Sequence, residues 1–295
     1  MDRTTAPARR LVLAARAALI ANIGIVVTGG IVRVTGSGLG CPDWPTCDGS
    51  AIAPVPGGEH AGWRAAIEFG NRLLTFVVLA ATLAVVVQLV RTRPHARGIE
   101  PLAWALPAGV LLQAALGGVT VLTGLSPLIV AAHFLASMVL IAVAVTLLGR
   151  LRATAEQDVA RVSDGLRHAT TALVIVGAVV LVLGTLVTGS GPHSGDPSAG
   201  RLPLDIRLMA IAHADAVWLL IGLAAASTFV ARRLGPPDLA RALVVLLVVV
   251  LAQGGVGYLQ YWLGIPPALV SLHILGAALV WAQVVHIRVL AAGPA

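Results

Sequence analysis

Long apolar runs, broken at intervals by short polar clusters rich in Gly, Pro and Arg, make up almost the whole chain. Eight runs stand out, near 11–32, 66–90, 102–123, 127–149, 169–190, 207–231, 239–262 and 268–290. Each is about 20 residues or more, enough for a helix to cross a hydrocarbon layer roughly 30 Å thick. Lipid offers the backbone no hydrogen-bond partner, so each run is predicted to be a helix that satisfies its own amides. The ten-residue alternating segments of a membrane β-barrel are missing from the sequence. The pattern predicts an all-α integral membrane protein with eight transmembrane helices.

The runs repeat. Shifted by 140 residues, Leu111–Leu135 falls on Leu251–Leu275 without a gap, and Gln113/Gln253, Gly117/Gly257, Gly124/Gly264, Pro127/Pro267 and His133/His273 coincide. "TGSG" occurs twice, at 35–38 after the first run and at 188–191 after the fifth. Fixed-offset similarity of this kind marks a duplication. Four helices per half is an even number, so both halves enter from the same side and are related by an axis along the membrane normal. The expected architecture is two tandem pseudo-symmetric four-helix bundles: an N-terminal half over 1–150, a linker over 151–168 and a C-terminal half over 169–295. Each TGSG is expected to cap the end of its helix, where glycine lets backbone come close to a neighbour.

Composition sharpens this reading. Hydrophobic residues are 58% of the chain and charged ones 11%, with a mean hydropathy of +0.92, too oily for a soluble core of this length. The net charge of +7 comes from 20 arginines and no lysine. Fifteen lie at the N-terminus, after runs 2 and 4, around the run 6–7 turn and near the C-terminus; only Arg33, Arg64, Arg72, Arg201 and Arg207 lie on the other side. By the positive-inside rule both termini are cytoplasmic. The basic charge is therefore a topology signal, and no nucleic-acid partner is implied. The first run is full length and lacks a small-residue cleavage site, so it is read as an anchor, with a bacterial cytoplasmic membrane as the expected location.

Cys41 and Cys47 are the only cysteines and fall in the long first loop on the outer side, where disulfides persist. A disulfide is the first reading, and a redox-active pair facing an external thiol partner is the second. A metal site lacks evident third and fourth ligands.

Ionisable residues inside membrane helices are costly and point to function. Here they are Glu68, Asn71 and Arg72 in run 2, His133 in run 4, His213 and Asp215 in run 6, and His273 in run 8, counting the polar Asn71 with them. His133 and His273 each come six residues after a proline that opens the helix, about 9 Å deep. Asn71 and His213 lie one to two turns into their own helices. Each half thus brings two polar side chains from facing helices to one level. Two facing histidines in a four-helix bundle are what a six-coordinate haem needs, one imidazole on each face of the iron. A single helical histidine is more often structural, but repetition across the duplication favours haem ligation, and a mononuclear metal again lacks further ligands. His60, His95, His168 and His193 fall in loops or at helix ends, and His286 lies too far along the last helix to join His273.

The halves differ. His213 and His273 form a complete pair, whereas His133 faces Asn71, a weak iron ligand, with Glu68 one turn earlier on the same face. That half is expected to hold a haem by one strong bond and leave its other face open beside a carboxylate, an arrangement suited to oxygen or proton chemistry. Glu68 has a second reading as an ion-pair partner of Arg72, and Arg72 a second reading as a partner of a haem propionate.

Taken together, "GGIVRVTGSGLGCPDWPTC", "IEFGNR", the histidines of runs 4 and 8 and the second TGSG resemble the haem A synthase family over essentially the whole chain. The resemblance implies oxidation of the C8 methyl group of haem O to a formyl group by successive hydroxylations, for cytochrome oxidase biogenesis. It implies haem b as cofactor between His213 and His273, haem O as substrate on His133 with Asn71 and Arg72 in its pocket, Glu68 as the catalytic carboxylate, and a Cys41–Cys47 disulfide near the substrate. Haem O synthase and oxidase assembly proteins are the implied partners, with an electron donor left unnamed. Family members commonly carry His where this chain has Asn71, a departure that leaves His133 as the one histidine the resemblance assigns to the substrate haem. The rival readings are a b-type membrane cytochrome exchanging electrons with quinol, and a repeat-built transporter.

Overall fold

The computed structural model describes residues 6–55, 62–92, 98–153 and 162–293. They form α1 (Ala6–Val34), α2 (Trp63–Arg91), α3 (Ile99–Leu122), α4 (Pro127–Ala153), α5 (Asp164–Ser190), α6 (Ile206–Leu234), α7 (Pro237–Trp262) and α8 (Pro267–Ala292). All eight are long and apolar enough to cross a membrane, and no strand occurs among the described residues. The chain is a multi-pass membrane protein. Its outward faces show Phe76, Leu112, Val139 and Phe229 bare, as expected where lipid tails replace a surrounding core.

The helices outrun the apolar stretches that predict them. Arginine stems extend along a helix while their heads reach polar surroundings, so α1 begins at Ala6 and α4 carries Arg150 and Arg152 in its last turn. Helix therefore takes both ends of the segment predicted as linker, whose residues 154–161 lie outside the described residues, as do His60 and His95. Ser163 opens α5 by accepting from Leu166 N, and Asp205 opens α6 by accepting from Leu208 N at 2.9 Å.

Packing closes two rings. In the first, α1 lies on α2 and α4, and α3 bridges α2 and α4; in the second, α5 lies on α6 and α8, and α7 bridges α6 and α8. Between the rings α8 meets α1 and α4, and α4 meets α5. Val26, Met138, Ile141, Ala278 and Trp281 fill that seam, where Trp281 Nε1 donates to Met138 O at 2.8 Å.

Two turns repeat bond for bond. After α3, Thr123 N donates to Val119 O at 3.0 Å and Leu125 N to Thr120 O at 2.8 Å; after α7, Leu263 N donates to Leu259 O at 3.0 Å and Ile265 N to Gln260 O at 2.7 Å. Leu125 and Ile265 both sit at positive φ, 58° and 62°, which bulky side chains rarely adopt. This turn sets the start of α4 and α8 at Pro127 and Pro267, and so the depth of their histidines.

The TGSG phrase differs between its copies. At 35–38 it lies beyond α1: Thr35 Oγ1 bonds back to Ile31 O at 2.7 Å and Gly36 turns the chain at φ 66°. At 188–191 its first three residues belong to the last turn of α5, and Gly191 leaves in extended backbone. The expected cap holds as a helix end in both, but only the first copy supplies a left-handed turn.

Candidate functional site

One cavity of about 1420 Å³ runs through both halves, larger than the usual small-ligand pocket of about 300–1,000 Å³. Glu68, Asn71, Arg72, His133, His213 and His273 all line it. The two sites expected from the sequence thus open into each other across the seam.

In the C-terminal half, the His213 and His273 rings stand with centroids 6.4 Å apart and planes at 67°. Two metal–imidazole bonds of about 2 Å each, with a ring radius at either end, require about 6 Å between centroids. His213 Nδ1 pairs with Val180 O at 3.1 Å, which leaves Nε2 for a metal. His273 Nδ1 is buried and without a hydrogen-bond partner. The residues therefore fit a haem held by both imidazoles. Glycines make room for the rings: a methyl on Gly184 would meet His213 Cε1 at 3.2 Å, and one on Gly257 would meet His273 Cε1 at 3.2 Å. Gln253 Nε2 donates to His273 O at 2.7 Å and ties α7 to the turn of α8 that carries His273. Asp215 lines the same cavity two residues past His213.

The N-terminal half repeats the frame with other polar groups. Gln113 Nε2 donates to His133 O at 3.0 Å, Gly117 lies against the His133 ring, and His133 Nδ1 is again buried and unpartnered. Asn71 lines the same cavity, and its Oδ1, a weaker donor to iron than an imidazole nitrogen, accepts from Thr28 Oγ1 at 2.7 Å. The fit here is to a haem with one histidine ligand.

Glu68 is 5% exposed, and both its oxygens are engaged. Oε1 pairs with Arg72 at 2.6 Å, and Oε2 accepts from Cys41 N at 2.7 Å. Arg72 in turn donates to Cys41 O, Asp43 O and Thr46 O at 2.8–2.9 Å. Its terminal nitrogens are thus spent on Glu68 and the first loop, so the ion-pair reading of Arg72 fits this geometry better than the propionate reading. Cys41 and Cys47 are disulfide-bonded and fully buried. The loop they close lies over the site: Trp44 sits against Gly118 of α3, and Trp44, Pro45 and Ile52 line the cavity.

The roles of several of these residues are not legible in the sequence. Thr28, Trp44 and the two glutamines act through backbone carbonyls or across distant segments, which leave no spacing to read. The glutamines alone carried a signal, since they coincide in the 140-residue repeat.

Residues 13–193 match the family COX15-CtaA, cytochrome oxidase assembly protein. The chain is 33% identical over 176 residues to a protein named heme A synthase from Lysinibacillus sphaericus (strain C3-41), covering 58% of this chain and 55% of that one. To the heme A synthase of Symbiobacterium thermophilum it is 30% identical over 190 residues, 60% of each chain. To that of Bacillus licheniformis it is 31% identical over 121 residues, 41% of this chain and 38% of the relative. The chain spans about half the length of the curated relatives it matches.

Proposed function

Because this chain belongs to the COX15-CtaA family of cytochrome oxidase assembly proteins, whose members include the haem A synthases it resembles, we propose that it converts haem O to haem A by oxidising the C8 methyl group to a formyl group. The observation that carries this reading is the placement of Glu68, a buried carboxylate clamped by Arg72 and by the disulfide loop, on the same cavity as His133. The N-terminal half holds haem O through His133, beneath the loop that carries Trp44. Glu68 stays where the loop holds it, a fixed carboxylate beside the substrate that stabilises positive charge and relays protons during two hydroxylations. Each hydroxylation inserts one oxygen atom into a methyl C–H bond and draws on an external two-electron oxidant of the dioxygen class; the resulting geminal diol loses water to leave the aldehyde. His213 and His273 hold a haem b in the C-terminal half, and such a group supplies one-electron transfer when bound. The paired glutamines keep the ligand turns of α4 and α8 in place, and the disulfide loop excludes water from the N-terminal site. Both termini are cytoplasmic, the first loop is external, and the protein resides in a bacterial cytoplasmic membrane, with haem O synthase and oxidase assembly proteins as partners.

The test is expression beside a haem O synthase in a host that makes no haem A, followed by extraction and mass identification of haems. The wild type is expected to yield formylated haem, and Glu68→Gln to stall at haem O or a hydroxylated form. Haem B alone from the wild type, with a reversible low-spin spectrum, would replace this reading with that of a b-type electron carrier.

A further inference from the structure

Arginine is scarce on the side that carries the disulfide loop, with five residues against fifteen on the other. Topology selects against positive charge there, so each one retained calls for a reason. Arg72 has its reason in Glu68 and the loop. Three others, Arg33 at the end of α1, Arg64 at the start of α2 and Arg201 in the α5–α6 loop, line one small cavity of about 250 Å³ at the seam, together with His193. Arg33 and His193 also line the large cavity, so the two share a wall. None of the three arginines has a carboxylate partner among the described residues. The one acid on the small cavity, Asp196, directs Oδ1 to Ser198 N and Oγ at 2.8 and 2.6 Å.

Two of the three arginines, Arg33 and Arg201, are held in place by backbone. Arg33 donates from Nε to His193 O at 2.5 Å and from one terminal nitrogen to Thr188 O at 2.8 Å, crossing from one half to the other. Arg201 donates to Gly191 O and Pro192 O at 2.5 and 3.0 Å. Arg64 lies 5.5 Å over the Trp63 ring. Carbonyls fix the direction of Arg33 and Arg201 without cancelling their charge, and with Arg64 they set three cations around a polar pocket with a single acid. That arrangement suits a carboxylate.

We infer that this seam cavity is a carboxylate-binding site, occupied by a propionate of the porphyrin held on His133. The inference rests on the proposed haem O site of the N-terminal half. Two of the three arginines belong to α1 and α2, the same pair that brings Thr28, Glu68 and Asn71 to that site. The third, on the C-terminal half's loop, brings the second half into recognition of the substrate. Arg64 and Arg201 are exposed, which lets a substrate that must enter and leave exchange its carboxylate with water.

The test titrates haem O, and separately haem O dimethyl ester, into the full chain already carrying its C-terminal haem, in nanodiscs of zwitterionic lipid, by absorption. Free haem O is expected to bind about tenfold or more tightly than the diester, as one or two charge-assisted hydrogen bonds allow. In Arg64→Gln and Arg201→Gln proteins that gap is expected to shrink, with the C-terminal low-spin band unchanged as the folding control. Equal binding of acid and diester to the wild type, with a spectrum still dependent on His133, overturns this inference alone. Haem O binding indifferent to His133→Ala overturns the proposed N-terminal site as well. If the acid–diester gap is absent while added phosphatidylglycerol is retained through Arg64 and Arg201, the anion is a lipid phosphate and the propionate assignment is wrong.

Discussion

Three imidazoles rest against three glycines, Gly117 for His133, Gly184 for His213 and Gly257 for His273, with gaps of 3.2–3.4 Å to an added methyl. Such a gap lets the ring shift slightly for alanine but not for a branched side chain. Gly257→Val is therefore expected to displace His273, abolish the low-spin spectrum of the haem proposed for the C-terminal half and cost about 1–3 kcal/mol of stability. Absorption spectra of the purified variant check this, and an intact low-spin band would show that the ring is placed by something else. The equivalent choice in the other half lies at Asn71. Asn71→His is expected to add a second imidazole and convert a haem on His133 from high to low spin, measured by electron paramagnetic resonance. The histidines and the Asn71 exception were legible in the sequence because intramembrane polar residues are few. Thr28, which holds Asn71, was not, since a threonine in a membrane helix usually bonds back to its own turn, as this one also does to Ile25 O at 3.2 Å.

At the scale of elements, the first loop and α2 form one unit. Gly40 passes so close to the start of α2 that a methyl there would lie 2.7 Å from Ala65 N and from the Arg64 carbonyl carbon, and the next residue, Cys41, hands its amide to Glu68. Arg72 binds the far side of the same loop through three carbonyls. A lysine offers one point charge where this site uses a planar fork. Arg72→Lys is accordingly expected to lower haem A formation at least tenfold while shifting thermal stability by only about 1–3 kcal/mol, the range for a few lost hydrogen bonds. Haem analysis and thermal melting of the same preparation separate the two effects. Spacing in the sequence showed that the loop was distinctive and its cysteines outside the membrane. It did not show that the loop's backbone, through amides and carbonyls common to every residue, fixes the one buried carboxylate of α2.

Across the whole molecule, the duplication read from the sequence places four helices in each ring, but the seam between rings follows from packing that no repeat encodes. Gly30 of α1 faces Ile274 of α8, where an added methyl would come within 2.5 Å of the Ile274 Cδ1, and Ile274 is the residue after His273. Small residues of this kind let membrane helices approach closely, since no water-driven collapse pushes them together. The cavity crosses the same boundary, so a wedge there acts on both halves at once. Gly30→Val is expected to push α1 from α8, weaken haem binding at the proposed His213–His273 site from a residue in the opposite half, and loosen the Arg33 bridge to Thr188 and His193. The measurement is paired: haem stoichiometry with low-spin amplitude for the C-terminal site, and haem O affinity for the N-terminal one. Gly257→Val is expected to damage only the first of these quantities, whereas Gly30→Val damages both. If Gly30→Val leaves the C-terminal spectrum intact, the two bundles tolerate separation, and coupling between the sites does not run through the α1–α8 contact.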